Sequence, residues 1–292
     1  MERKTHVDAF GAAAMIGFAT VFAFNQVVVK VTGGGFGPVF MAAIRSVGAL
    51  LVLWIWMKWR GVPMVTPPGA MMGGVLAGVL FSVEFMTLFT ALDITTVSRA
   101  SIIFYSMPVW LAIASHFLLP SERLSSGRIL GLCLAMGGVV LAISTRNAGE
   151  ASLLGDALCL IASMCWAGIA LTARLTPLSK ASPEMQLFWQ VLVSVPILAV
   201  FAPFMGELVR DLQWIHIAGL VFQIVCVASL GFLLWFWLLS IYPASSVASF
   251  SFLSPVLAVI MGWGLLGEVI SLKVWVALVL VAAGIFLINR KT

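Results

Sequence analysis

Runs of apolar residues about as long as a membrane span, separated by short polar stretches, fill the chain almost from end to end. Ten can be cut from it, at residues 10–31, 39–57, 70–91, 97–119, 129–144, 157–173, 185–204, 214–239, 244–266 and 272–288. An α-helix needs roughly 20 such residues to cross a bilayer core, and the runs at 129–144, 157–173 and 272–288 are the shortest of the set. All are apolar on every face apart from isolated polar positions. They lack the alternation of a barrel strand, so the pattern predicts helices.

The pattern also repeats. At an offset of 147, Leu92, Ile94, Ser98, Pro108, Val109 and Ile113 meet the identical residues Leu239, Ile241, Ser245, Pro255, Val256 and Ile260. Beyond this stretch Glu122 answers Glu268 and Gly138 answers Gly284; upstream, Lys30 answers Arg174 and Pro38 answers Pro183. The repeat therefore covers nearly the whole chain, with a first five-helix unit at residues 1–147 and a second at 148–292. Pro108 and Pro255 each lie about 16 Å into their helices, near the bilayer centre, where the ring removes a backbone hydrogen bond and frees a carbonyl. One such proline is ordinary in a membrane helix; two at matched positions read as hinges or kinks that shape a pathway.

Composition gives these runs their solvent. With 62% hydrophobic residues, 9% charged residues and a mean hydropathy of +1.13, the chain cannot bury its apolar surface within itself, and lipid must solvate it. Arg3 and Lys4 precede the first run, which is too long for a signal-peptide core and is read as retained. Cys133, Cys159, Cys165 and Cys226 all lie in apolar runs and are read as packing residues, with no metal site and no disulfide expected. The net charge of +5 is scattered over short loops without a basic, aromatic-interleaved patch, so no nucleic-acid partner is expected.

Charge reports orientation instead. Ten loop lysines and arginines, Lys58, Arg60, Arg123 and Arg128 among them, fall on the side of the N-terminus, and Lys30, Arg99, Arg146, Arg210 and Lys273 on the other. The positive-inside rule then puts both termini in the cytoplasm, as expected of a multi-pass plasma-membrane protein. Because five is odd, the second unit enters the membrane inverted relative to the first. Inverted repeats with a binding site between the halves near the midplane are the architecture of alternating-access carriers.

The stretch from Ala244 through Ser254, Pro255 and Val256 to Gly267, Glu268 and Gly284, with its copy from Ala100 through Met107, Pro108 and Val109 to Glu122 and Gly138, resembles the drug/metabolite transporter superfamily. Within it the chain is similar to the ten-helix branch built from two EamA-type repeats. The resemblance implies ten helices in two inverted five-helix halves and export of metabolites, amino acids among them, from the cytoplasm. Apolarity and aromatic content turn the expectation toward aromatic or other neutral amino acids. The four-helix drug exporters of the same superfamily carry a glutamate in the first helix, where this chain has Asn25 and Gln26. That departure argues against a proton-coupled multidrug mechanism.

Polar residues inside a span are costly and face the bundle interior or a wet cavity. Counted from the far ends of their helices, Asn25 and Gln26, Arg45, Glu84, and Tyr105 with Ser106 fall at depths of about 8 to 14 Å, nearly one level. Glu84 is the only deep acid and Arg45 the only deep base, so a direct or singly bridged interaction between them is expected. The alternative to an architectural pair is that one of them grips the charged end of a zwitterionic substrate. The second half supplies Trp166, Gln186, Gln190, Ser251, Phe252 and small residues to the same site. Trp110 is a further cavity candidate, while Trp54, Trp56, Trp59, Trp214 and Trp275 read as interfacial anchors. Gly74 and Gly78 form a packing stripe, and Gly33-Gly34-Gly35-Phe36-Gly37 a flexible turn able to gate the outer mouth.

The expected activity is thus secondary transport, without cofactor, by a single chain whose two halves suffice, with oligomers possible. An enzyme would need a polar constellation that the isolated His116 and His216 do not make, and no nucleotide-binding motif points to ATP drive. A channel would call for rings of charge or carbonyls. If Arg45 neutralises Glu84, no free carboxylate remains to carry a proton, and export is uncoupled or weakly coupled.

Overall fold

The computed structural model describes residues 8–119, 124–145, 152–242, 250 and 253–289. The regular secondary structure of these residues is helical, joined by short loops and turns, with one isolated antiparallel bridge, Phe36 to Val209. In chain order the helices are α1 (Ala9–Thr32), α2 (Pro38–Trp59), α3 (Ala70–Ile94), α4 (Val97–Phe104), α5 (Met107–Leu118), α6 (Ser126–Ser144) and α7 (Leu153–Leu175). They continue with α8 (Pro183–Phe201), α9 (Trp214–Phe222), a π-helical segment (Gln223–Gly231), α10 (Phe232–Ile241), α11 (Leu253–Leu266) and α12 (Leu272–Asn289). Taken with their continuations, 8 are long and apolar enough to cross a membrane; α11 and α12 are shorter, and the residues just before α11 lie outside the described set.

Local chemistry starts these helices where the sequence is polar. Asp8, Thr96, Ser125, Ser152 and Ser182 cap α1, α4, α6, α7 and α8, each accepting from a backbone amide in the first turn. Pro38 and Pro183, matched in the sequence, open α2 and α8, where a missing amide hydrogen costs nothing.

The fourth run is two helices rather than one bent helix. Tyr105 and Ser106 interrupt it, and Pro108 sits in the first turn of α5. Its ring cannot donate to the Phe104 carbonyl four residues back, so the helix restarts. The eighth run carries its own irregularity. Over Gln223–Gly231 the bonds widen to the π pattern, and the Ser229 hydroxyl donates to the Ile224 carbonyl at 2.7 Å.

α3 lies at the centre, with 61% of its apolar window buried against 28% for α6 and α8, and it packs on α7 and α8. Gly74 and Gly78 make the α8 contact close: a methyl group there would lie 2.6 Å from the Trp189 ring and 2.4 Å from Val193 Cβ. α1 packs on α11, and α6 pairs with α12 at the edge of the bundle. There Gly131 and Gly284 meet backbone to backbone, and a methyl group on Gly284 would stand 2.5 Å from the Gly131 carbonyl oxygen. Trp54, Trp59 and Trp214 are exposed near helix ends.

Candidate functional site

At mid-depth the helices enclose a cavity of about 380 Å³. Its polar lining comes largely from one half: Asn25 and Gln26 of α1, Arg45 of α2, Glu84 of α3, and Tyr105 at the α4–α5 break. Gln190 of α8 and Ser254 of α11 complete it. Along α1 the cavity extends from Gln26 to Met15, and along α3 from Leu88 to Phe81. At 1.5 Å per residue its ends stay about 9 Å from either helix terminus of α1.

Arg45 and Glu84 are both buried, and each is the opposite charge acting on the other. Among the described residues they form no ion pair with each other. The Arg45 guanidinium instead lies over the Phe85 ring, 4.2 Å from its centroid, with Phe89 at 5.6 Å. This cation–π contact keeps the charge beside Glu84 without joining it. Three buried polar atoms on the same wall make no hydrogen bond: Asn25 Oδ1, Gln26 Oε1 and Arg45 Nε. The Tyr105 hydroxyl has the Gln26 and Ser254 side chains as its hydrogen-bonding neighbours.

Aromatic rings make up much of the remaining lining. Phe104 stacks on Trp166 at 5.0 Å and 14°, Tyr105 meets the same indole edge-on at 6.1 Å, and Phe18 stacks on Trp235 at 5.0 Å. Phe22, Phe81, Phe85 and Phe232 interleave with the polar residues.

Of the residues singled out in the sequence, Asn25, Gln26, Arg45, Glu84, Tyr105, Trp166, Gln190 and Pro108 meet at this cavity. Ser106 does not: the helix break turns it toward α7, where its hydroxyl lies 3.3 Å from Ser163 Oγ and accepts from the Trp110 indole at 3.1 Å. Trp110 is thereby occupied in packing rather than in the lining. Pro255 is buried in α11, outside the lining, and Ser251 and Phe252 lie outside the described residues. Gln186 donates to the Ala181 carbonyl at 3.1 Å. The reading missed Phe18, Phe22, Phe85, Phe104, Trp235 and Ser254. Helical spacing was the available signal, since Phe18, Phe22, Asn25 and Gln26 share one face of α1, as Phe81, Glu84, Phe85 and Leu88 share one face of α3.

At the helix ends where α1 and α3 stop and α4 begins, several charged side chains tie distant parts of the chain together. Arg210 forks onto both Asp93 carboxylate oxygens at 2.7 and 2.8 Å and donates to the Gly33 carbonyl at 2.9 Å. Asp93 in turn holds the Arg210 guanidinium pKa above its ordinary value. Lys30 Nζ donates to the Thr95 carbonyl at 2.8 Å. Glu268 accepts from the Val97 and Ser98 amides at 2.5 and 2.9 Å and from the Ser98 hydroxyl, stabilising the positive end of α4. Arg99 is buried rather than a free loop charge: it pairs with Asp156 at 2.6 Å and donates to the Ile143 and Thr145 carbonyls at the end of α6.

The glycine run beside these contacts is a packed seam rather than a flexible turn. A methyl group on Gly35 would fall 2.2 Å from His216 Nδ1, and one on Gly37 2.0 Å from the Glu207 carbonyl. Phe36 bridges to Val209 between them.

Apolar membrane-length helices around a central cavity lined by polar and aromatic side chains are the build of a membrane transport protein. A model of the EamA-like transporter family matches residues 9–144 and again residues 153–290, and the chain belongs to that family. It is 23% identical over 282 residues to the "Uncharacterized transporter YoaV" of Bacillus subtilis, covering 94% of each chain. To a "Probable amino-acid metabolite efflux pump" of Salmonella typhimurium it is 25% identical, with 98% of this chain and 95% of that one covered. A crystal structure with 17% sequence identity superposes with a TM-score of 0.68 over 94% of this chain and 96% of its own, which shows the fold.

Proposed function

We propose that the protein exports small metabolites, aromatic or other neutral amino acids first among them, from the cytoplasm across the plasma membrane. Transport proceeds by alternating access, with no covalent chemistry, between two inverted five-helix halves divided near residue 147. Both termini lie in the cytoplasm, and the face closed by Arg210 and Asp93 is the outer one. The observation that carries this reading is the cavity itself, whose lining combines Arg45, Glu84, Asn25 and Gln26 with the Phe104–Trp166 stack. A small amphiphile with a charged head and a ring matches both kinds of lining, and the volume of about 380 Å³ leaves room for it. The Salmonella typhimurium relative, named for amino-acid metabolite efflux, supports the substrate class.

Counterflow into proteoliposomes with a panel of amino acids, nucleosides and cationic dyes tests it. Saturable exchange of aromatic amino acids, competed by other neutral ones, is expected. Exchange confined to nucleosides or dyes would refute the substrate class, and a single-channel current would refute the carrier.

A further inference from the structure

The odd feature of the cavity is that its two buried charges are neighbours and yet do not pair. A buried ion left without a partner costs several kcal/mol, and an ion pair with good geometry offsets most of that. Elsewhere this protein follows the rule: Arg99, similarly buried, takes Asp156 and two helix-end carbonyls. Arg45 instead rests on Phe85 with Nε unbonded, and Glu84 makes no side-chain hydrogen bond or ion pair among the described residues. Two carbonyl oxygens of the same lining, Asn25 Oδ1 and Gln26 Oε1 on α1, are also buried and unbonded. The cavity lining therefore holds an unused donor on its cation, an anion without a hydrogen-bonded partner, and two unused acceptors.

Resting on the export reading above, we infer that Arg45 and Glu84 are two half-sites that select a zwitterion. Arg45 takes the substrate's carboxylate through its free Nε–H, and Glu84 takes the ammonium with Asn25 Oδ1 and Gln26 Oε1 as further acceptors. The side chain of the substrate lies along Phe104 and Trp166. Phe85 separates the half-sites by holding the guanidinium on its face, which keeps the two protein charges from satisfying each other.

Selectivity follows from what is left unpaired. An α-amino acid satisfies both half-sites and brings no net charge into the membrane. The corresponding arylethylamine leaves Arg45 uncompensated, and the arylpropionate leaves Glu84 uncompensated. Each should be discriminated against by about tenfold or more, the scale of a lost charge-assisted hydrogen bond in a desolvated site.

The experiment is competition for counterflow of a labelled aromatic amino acid by purified full-length protein in proteoliposomes, using three compounds with one ring: the amino acid, its decarboxylated amine and its deaminated acid. The wild type should rank the amino acid at least about tenfold above both analogues, as expected for one lost charged contact. In Glu84→Gln the acid should compete as well as the amino acid, while the amine stays excluded. In Arg45→Gln the amine should gain instead. Arg45→Lys and Glu84→Asp keep the charges and should keep the wild-type ranking, so a loss of fold in the neutral variants does not remove the test.

A wild type that accepts the amine or the acid as readily as the amino acid overturns the half-site assignment. So do neutral variants that fold and depress all three compounds equally. In both cases amino-acid exchange by the wild type persists and the export reading stands. Absence of any amino-acid exchange by the wild type sinks the reading and the assignment together.

Discussion

Two buried arginines receive opposite treatment in this protein. Arg99 has both a carboxylate and helix-end carbonyls, so its charge is fully used by the protein. Removing its partner should be costly, because it leaves a buried charge alone. Asp156→Asn is expected to lower unfolding stability by about 3 to 5 kcal/mol, read as a large downward shift of the thermal transition in detergent. A shift within error would mean that water reaches Arg99. Arg45, whose charge the protein leaves partly unused, should behave differently: Arg45→Gln should alter substrate ranking far more than thermal stability.

The residue scale also shows what the sequence can and cannot disclose. Counting 1.5 Å per residue placed Asn25, Gln26, Arg45 and Glu84 at one level, and they do share one cavity, because depth along a straight helix is fixed by position. The same count failed for Ser106, since the helix restarts at that point and the side chain turns to Ser163. The link of Arg210 to Asp93 and of Glu268 to α4 was hidden. Loop and helix-end residues carry no periodicity, and their partners are more than a hundred positions away in the chain.

Among the elements, the interrupted fourth span is the one whose irregularity touches the cavity. Tyr105 and Pro108 line it from either side of the break. Pro108→Ala restores the donor to the Phe104 carbonyl and removes the reason for the interruption. Counterflow should slow by about tenfold, as expected when a conformational step rather than binding is disturbed. An unchanged rate would assign the proline to packing alone. The α6–α12 pair offers a structural comparison. Gly284→Val places a branched side chain against the Gly131 backbone, which cannot yield as a side chain could. Such overpacking costs about 1 to 3 kcal/mol, and a thermal melt should show the loss. The pairing of Gly138 with Gly284 as repeat equivalents was legible in the sequence; that the two helices bearing them pack on each other was not.

For the molecule as a whole, the proposed alternation requires the tie between the end of α3 and the segment before α9 to open. The Arg210–Asp93 pair is partly exposed, at 30% and 23% of the two side chains, so screening limits it to about 0 to 1 kcal/mol. Asp93→Asn should therefore shift the balance toward opening of this face by no more than about fivefold. Labelling of a cysteine placed at Gln26 by an impermeant thiol reagent added from that face reports the shift. The raised Arg210 pKa means that the arginine's share of this tie is complete below its ordinary, already strongly basic pKa and is lost only at still higher pH. Between pH 7 and pH 9 the labelling rate, corrected for reagent chemistry, should not change on its account.

The central claim is that substrate passes through the cavity lined by the polar residues of α1 to α3 and the Phe104–Trp166 stack. Counterflow of a labelled aromatic amino acid through Ala170→Trp tests it most directly, because Ala170 lines the cavity and an indole there would fill it without touching the closed face. The account predicts saturable exchange by the wild type and loss of exchange by the variant, with its thermal transition retained. Full-rate exchange through the filled cavity would contradict it.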